Sequence, residues 1–245
     1  MREPVYGPPA FPLLRRARAL AAGACTFLLP PRCLLCSEPG EAGQDLCAAC
    51  HAQLPVNLHG CPRCAIPMVI PGTCGRCLRQ APLLQAACGA FLYRPPLDRL
   101  LPRFKFHQDL AAGRLLAQLM LPHVARAGRP DVLVPVPLHH SRLRQRGYDQ
   151  ALELARPLAA GLALPLEADL LRRHRRTAAQ SDLGALARRR NLRGAFSVRE
   201  RGPLPRHVAL VDDVMTTGAT LHAAALALRR AGVERVDAWV CARTW

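Results

Sequence analysis

Two hydrophobic periods divide the chain after residue 80. Short, continuous apolar runs predict buried strands, whereas apolar residues spaced three and four apart predict helices with one covered face. The predicted elements are, in order, a strand at Ala87–Tyr93, helices at Leu97–Phe106 and Leu110–Ala127, a strand from Val132 that runs into a proline-containing loop, a helix at Asp149–Leu162, short strands at Asp169–Arg172 and Ala195–Val198, and a strand at Arg235–Cys241. Strands that alternate with helices predict an α/β fold with a mostly parallel sheet flanked by helices. In such folds the ligand crevice lies at the carboxyl ends of the strands.

The stretch from His207 to Thr220 combines a strand, a turn and a helix start. Its apolar run, Val208–Val211, predicts a buried strand that ends before Asp212 and Asp213. The turn that follows is rich in threonine and glycine and leads into a helical pattern, so its backbone N–H groups and the helix dipole favour a bound anion. The adjacent carboxylates suit the vicinal hydroxyls of a ribose. The pattern therefore predicts a ribose 5-phosphate site, and the alternative is an ordinary strand–turn–helix unit with exposed acids.

Two further loops contribute arginines to the same predicted crevice. One spans Val134–Gln150, where prolines constrain the backbone, and the other spans Arg172–Leu183. Guanidinium groups bind phosphate through paired hydrogen bonds, so these loops suit a pyrophosphate group. A solvated basic face is the alternative for many of these side chains.

Eight of the eleven cysteines form four CxxC pairs in a short window near the N-terminus. The pairs are Cys33/Cys36, Cys47/Cys50, Cys61/Cys64 and Cys74/Cys77. Each CxxC directs two thiolates towards one point, and two such knuckles complete a tetrahedral zinc site. We therefore expect two structural zinc sites of four cysteines each, with pairing in sequence order favoured over a crossed arrangement. Disulfides, a redox CxxC and iron–sulfur ligation are the alternatives.

The net charge of the chain is +17, from 34 basic and 17 acidic residues. A field of this sign attracts nucleic acid, anionic lipid or phosphorylated metabolites, although compositional drift towards arginine gives the same total. No apolar run is long enough to predict a membrane span. Residues 1–30 resemble a secretion signal, but prolines and then cysteines interrupt the apolar stretch, so a short helical segment and a cytoplasmic protein are expected.

The turn at residues 212–220 closely resembles the phosphoribosyl pyrophosphate (PRPP) signature of type I phosphoribosyltransferases. Together with the tandem CxxC pairs, VPVPL, RLRQRGYDQ, RTxxQ and the pattern that ends at Phe196, it makes nearly the whole chain resemble the ComF/GntX family. The resemblance implies an N-terminal helical segment at 1–30, a double zinc ribbon at 31–80 and a phosphoribosyltransferase-like domain at 81–245. One departure is Asp149, where the family commonly has Asn and where a carboxylate would weaken a phosphate contact.

By that resemblance, Asp212 and Asp213 hold the ribose hydroxyls of PRPP, which binds with Mg²⁺. The implied PRPP-binding residues are Val214, Met215, Thr216, Thr217, Gly218, Ala219, Thr220, Pro135, Val136, Pro137, Leu138, Arg142, Arg146, Lys105, Arg175, Thr177 and Gln180. The expected reaction is displacement of pyrophosphate by a nitrogen nucleophile, in nucleotide metabolism or DNA uptake. The alternative function is a non-catalytic accessory that binds single-stranded DNA and DNA-uptake proteins on the same fold.

Overall fold

The computed structural model describes residues 30–41, 43–174, 194–199 and 202–245. The expected N-terminal helical segment and the implied ligand residues Arg175, Thr177 and Gln180 lie outside the described residues. The chain divides into two compact units, Met1–Ala52 and Gln53–Trp245. The first two CxxC pairs thus belong to one unit and the last two to the other. The domain boundaries at residues 30 and 80 stay predictions.

In residues 30–41 and 43–52, the described part of the first unit, cysteine knuckles surround one short helix, α1 (Ala48–Ala52). An antiparallel bridge joins Arg32 to Pro39, and inside it the N–H of Cys33 donates to the carbonyl of Glu38 at 2.8 Å. Short turn hydrogen bonds of this kind fix the directions of neighbouring cysteine side chains. The unit is therefore organised around its thiols.

The second unit contains the sheet and most of the helices. Its helices are α2 (Gly75–Arg79), α3 (Leu97–Phe106), α4 (Leu110–Val124), α5 (His140–Arg146), α6 (Gln150–Leu162) and α7 (Ala219–Arg230). Its strands are β1 (Ala87–Leu92), β2 (Val132–Pro135), β3 (Leu171–Arg173), β4 (Phe196–Val198), β5 (His207–Met215) and β6 (Arg235–Arg243).

Four strands form a parallel sheet in the order β1–β6–β5–β2. Strand β5 lies inside the sheet, with Val211 paired to Pro135 of β2 on one side and to Trp239 of β6 on the other. A strand covered on both faces needs apolar residues throughout, which accounts for the run Val208–Val211. The predicted α/β fold with a parallel sheet is confirmed, and the turn after β5 lies at its carboxyl edge.

One face of the sheet shares a single hydrophobic core with α7, the β3–β4 pair and the second group of cysteines. Helix α7 contributes Leu221, Ala224, Ala225 and Leu228, the apolar face expected from its periodicity. Cys61 and Cys64 are almost completely buried in the same core. The turn after β5 and this cysteine group are therefore parts of one packed body.

Four sequence expectations differ from the structure. Strand β5 does not end before the acids but continues to Met215, because Asp212, Val214 and Met215 still pair with β6. The segment Val134–Gln150 is not all loop, since it contains α5, a polar helix without buried residues. Helix α4 ends at Val124, and β6 extends to Arg243.

Candidate functional site

The two acids of β5 have different partners. Asp213 is buried and its Oδ2 lies 2.9 Å from Nζ of Lys105 at the end of α3. Asp212 is partly exposed, and its Oδ1 accepts a hydrogen bond from the N–H of Asp213 at 2.9 Å. Burial, reinforced by the charge of Asp213, raises the pKa of Asp212 to about 8. One carboxylate is therefore neutralised by a lysine, while the other favours its protonated form.

Residues 215–220 join β5 to α7, and we call them the phosphate cradle after the ligand that the sequence predicts for them. Gly218 adopts φ +74° as the residue before the first turn of α7, a conformation that other residues rarely adopt. Within the described part of the chain, the N–H groups of Thr216, Thr217 and Gly218 donate to no other backbone carbonyl. Thr216 is exposed and Thr217 partly exposed. Backbone N–H donors without a carbonyl partner at a helix start are what an anion requires.

Asp149 ties the proline loop to helix α6. Its Oδ1 accepts from the N–H of Leu152 and so caps the helix, while its Oδ2 accepts from the N–H of Leu138 at 2.9 Å. Burial raises the pKa of this carboxyl, and the charge of Asp213 adds to the effect. The carboxylate of Asp149, where the family commonly has Asn, therefore holds the loop in place through hydrogen bonds to the chain's own backbone.

Three arginines contribute positive charge, each in a different way. Arg142 and Arg146 are four apart on α5 and hence on one side of it, with Arg146 bonded to Gln150 at 2.8 Å. Arg173, at the end of β3, lies with its guanidinium 5.4 Å from the ring centroid of Phe196. The charges of Arg142 and Asp212 both act on Arg173, although burial is the main cause of its lowered pKa. The site thus combines acids from β5 with cations from α3, α5 and β3.

The described site residues are distributed as follows. Pro135 ends β2 and Val136, Pro137 and Leu138 follow it at the carboxyl edge of the sheet, where Val136 donates to the carbonyl of Val211 at 2.9 Å. Lys105 contacts the carboxylate of Asp213, and its predicted contact with a phosphate stays a prediction. Met215 is buried, so only its backbone can face a ligand. Arg173 is a site residue that the sequence analysis does not name, because it assigns residues 172–183 to a loop. The signal that could have indicated it is an arginine at the end of a short apolar strand.

A groove of about 560 Å³ lies beside the cradle, between α7, β4 and residues 76–83. Thr217 and Ala219 belong to both the cradle and the wall of this groove. The described lining residues include Arg76, Arg230 and His222 but no aspartate or glutamate. The groove therefore extends from the cradle along α7, with two arginines and the thiols of Cys64 and Cys77 in its wall.

The eight paired cysteines form two separate groups of four. The first cluster is Cys33, Cys36, Cys47 and Cys50, and the second cluster is Cys61, Cys64, Cys74 and Cys77; within each, all four Sγ atoms lie within 4.8 Å of one another. Zinc–thiolate bonds of about 2.3 Å in a tetrahedron separate the sulfurs by just under 4 Å. The measured separations of 3.6 Å between Cys36 and Cys47 and 3.7 Å between Cys64 and Cys74 fit that geometry. Pairing in sequence order is confirmed, and both donor sets fit structural zinc.

Comparison with known proteins matches both halves of this arrangement. The double zinc ribbon domain family matches residues 24–90, and the phosphoribosyl transferase domain family matches residues 149–244. Competence protein F of Haemophilus influenzae is 36% identical over 222 residues, which span 86% of this chain and 96% of that protein. The chain belongs to the ComF family. Another ComF relative, the DNA utilization protein YhgH of Salmonella typhimurium, is 35% identical over 88% of this chain and 98% of its own.

Family membership also extends to a more divergent protein. Competence protein ComFC of Bacillus subtilis is 28% identical over 82% of this chain and 83% of that protein. The suspected ComF resemblance is thereby confirmed. Among the described helices, none combines the length and the apolar composition required to cross a bilayer.

Proposed function

We propose that this ComF-family chain binds PRPP or a related phosphorylated ribose at the carboxyl edge of β5. The observation that carries the proposal is the continuity of Asp212 and Asp213 with a cradle whose backbone N–H groups are available. The match of residues 149–244 to the phosphoribosyl transferase domain supports it. A cytoplasmic location, in which thiols stay reduced for zinc, belongs to the same proposal.

The ligand is oriented by groups on three sides. The cradle amides and the hydroxyls of Thr216, Thr217 and Thr220 bind the 5-phosphate, while Asp212 and Asp213 accept from the ribose hydroxyls. A cation bound beside Asp212 would lower the raised pKa of this carboxyl, so binding of the ligand with Mg²⁺ would release a proton near neutral pH. Carboxylate oxygens suit Mg²⁺, which supplies charge neutralisation for pyrophosphate.

Pyrophosphate departure follows from the same arrangement. When a nitrogen nucleophile attacks the anomeric carbon, the bond to pyrophosphate breaks and negative charge accumulates on the leaving group. Arg142 and Arg173 lie among the site's charged groups and stabilise it. The measurement for turnover is pyrophosphate release in the presence of candidate bases.

Binding is tested by calorimetric titration of PRPP with and without Mg²⁺. The wild type is expected to bind only with Mg²⁺, and Asp212→Asn/Asp213→Asn to lose binding. Glu234→Gln, which alters a surface ion pair with Arg206, is the control and keeps the wild-type affinity. A wild type without affinity for PRPP contradicts the proposal.

A second candidate function is single-stranded DNA handling, and the acid-free groove beside α7 favours it. Arg76 and Arg230 provide phosphate contacts, and apolar residues such as Leu226 provide a floor for bases. The printed names of the relatives, DNA utilization protein and competence protein, agree with a DNA-related role.

The two functions separate experimentally. Arg76→Glu/Arg230→Glu is expected to weaken single-stranded DNA binding. The slope of the logarithm of the binding constant against the logarithm of salt concentration is expected to decrease by the equivalent of about two phosphate contacts. The same variant is expected to keep PRPP affinity, because neither arginine belongs to the cradle. DNA binding that is indifferent to both substitutions would remove the groove from consideration.

A further inference from the structure

Arg243, the last residue of β6, joins the second cluster to the phosphate cradle. It is almost completely buried, with only 2% of its surface exposed. Its Nε donates to the carbonyl of Cys64 at 3.0 Å, and its Nη1 donates to the carbonyls of Met215 at 3.0 Å and Thr216 at 2.6 Å. A single guanidinium therefore holds a cysteine knuckle and the first two residues of the cradle together.

The charge of Arg243 has no carboxylate counterion among residues 30–41, 43–174, 194–199 and 202–245. Burial of an uncompensated cation is costly, so the surrounding groups must balance it. Those groups are the backbone carbonyls that accept from Arg243 and the second cluster, to which Cys64, one of the bonded residues, belongs. Four thiolates around one Zn²⁺ carry a net charge of about −2, which more than offsets the single positive charge of this arginine.

Packing around Arg243 leaves little room for independent movement of the cluster. A Cβ placed on Gly89 of β1 would lie 3.2 Å from the Cβ atoms of both Ala65 and Arg243. Ala65 directly follows Cys64 and donates to the carbonyl of Cys61. The knuckle, β1 and β6 are therefore in close contact, and a displaced knuckle would move the guanidinium.

We propose that the second cluster, when it holds zinc, sets the position of the phosphate cradle through Arg243, so that zinc occupancy and phosphate binding are energetically coupled. Arg243 is a positioning residue: it touches the carbonyls of the cradle and leaves the N–H groups on the other side free for the ligand. The inference rests on the proposed function for the identity of the ligand but not for the coupling between cluster and cradle. Coupling is reciprocal, so a ligand in the cradle must also stabilise zinc in the second cluster.

The coupling between cluster and cradle is tested without any ligand, by amide NMR spectra. Cys77→Ser removes a zinc ligand that does not bond to Arg243, and we expect shifted or broadened signals for Thr216, Thr217 and Gly218. Cys36→Ser in the first cluster is the matched control and is expected to leave those signals in place. Cradle signals that are unchanged in Cys77→Ser, in a protein that has lost zinc from that site, overturn the proposal.

Arg243 itself is tested with its zinc content kept under observation. Arg243→Gln is expected to weaken PRPP binding by 5- to 150-fold, the usual range for coupled sites, while about two zinc ions per chain remain. Arg243→Lys, which keeps the charge but cannot reach both sets of carbonyls, is expected to lose less. Arg243→Lys also provides the test of the positioning role if the Gln variant does not fold. Arg206→Gln, an exposed arginine, is the control. Unchanged affinity in both Arg243 variants contradicts the positioning role.

The reciprocal effect is measured in Cys36→Ser protein, where the second cluster is the zinc site left intact. Saturating PRPP is expected to slow chelator-driven zinc loss by the same factor by which zinc improves PRPP binding, and Arg243→Gln to abolish the protection. If the wild type binds no PRPP, the proposed function fails, while the NMR comparison still decides the coupling. If PRPP binds but gives no protection, the coupling fails and the proposed function stands.

Discussion

At the scale of single residues, Asp212 and Asp213 are neighbours with unequal electrostatics. Asp213 forms an ion pair with Lys105 at 2.9 Å. Asp212 is instead repelled by the negative charge of Asp213, its neighbour in sequence. The sequence shows two equivalent acids, since nothing in the order of residues says which one meets a lysine from a helix more than a hundred positions earlier. The pairing is a product of the sheet topology, which brings the end of α3 to the end of β5.

The raised pKa of Asp212 has a consequence for stability. Its ordinary value is 3.8 and its folded value about 8, so between these pH values the folded state holds a proton that the unfolded state has lost. The free energy of unfolding contributed by this group therefore falls as pH rises from about 4 to about 8. Asp212→Asn is expected to reduce that slope in urea titrations across the range. Asp169→Asn, at an exposed carboxyl, should leave the slope unchanged; equal slopes in wild type and Asp212→Asn would contradict the assignment.

Asp149 gives a prediction about stability that is separate from ligand binding. Asp149→Ala removes both the cap of α6 and the tether to Leu138, and we expect a loss of about 1–2 kcal/mol in the free energy of unfolding by urea titration. Asp149→Asn keeps one acceptor oxygen and should lose less. Glu153→Ala, in the first turn of the same helix, removes only a surface pair with Arg156 and should cost well under about 1 kcal/mol. Equal losses at residues 149 and 153 would refute the tether.

At the scale of elements, hydrophobic periodicity is sufficient to predict the bounds of a helix or strand where packing follows the local pattern. Helix α3 occupies the predicted Leu97–Phe106, because its periodic apolar positions, Leu97, Leu100, Leu101 and Phe104, face the core. Helix α5 was missed because it buries nothing, so no periodic signal exists in His140–Arg146. Strand β5 runs past its apolar segment because β6 continues beside it, a pairing between distant segments that local pattern does not show. Local sequence therefore predicts buried elements better than exposed ones.

The turn between β5 and α7 requires glycine at residue 218. The backbone of Gly218 has φ +74°, which residues with a Cβ rarely adopt, and an added Cβ would lie 2.5 Å from Cε of Met215. Gly218→Ala is therefore expected to lower the free energy of unfolding in urea by about 1–2 kcal/mol. The same variant is expected to weaken PRPP binding in calorimetry. Gly232→Ala, just after the other end of α7, meets a similar positive φ of +108° with nothing within 4 Å. It should lower stability while PRPP affinity is retained. Equal PRPP affinity in the two variants would show that the shape of the turn does not matter for binding.

At the scale of the whole molecule, spacing alone predicted eight ligands in two sets, and the pairing in sequence order is confirmed. The different positions of the two sets in the molecule were not predictable. CxxC spacing is the same in both clusters, but only the second shares the core of the sheet and α7. That difference comes from the apolar residues around the cysteines and from Arg243, which lies more than 160 positions away in sequence. The two clusters should therefore make unequal contributions to folding.

This inequality predicts two different thermal responses. Cys36→Ser is expected to reduce the zinc content from about two ions to about one while the main calorimetric transition of residues 53–245 stays in place, because its cluster belongs to the other compact unit. Cys77→Ser removes the same amount of metal but takes a ligand from the buried core, so the main transition should move down by several degrees. Since the two variants make the same chemical change, any difference reflects where the cluster is packed. Equal shifts of the main transition would mean that both clusters stabilise the sheet to the same extent, and the second would then have no special place in the core.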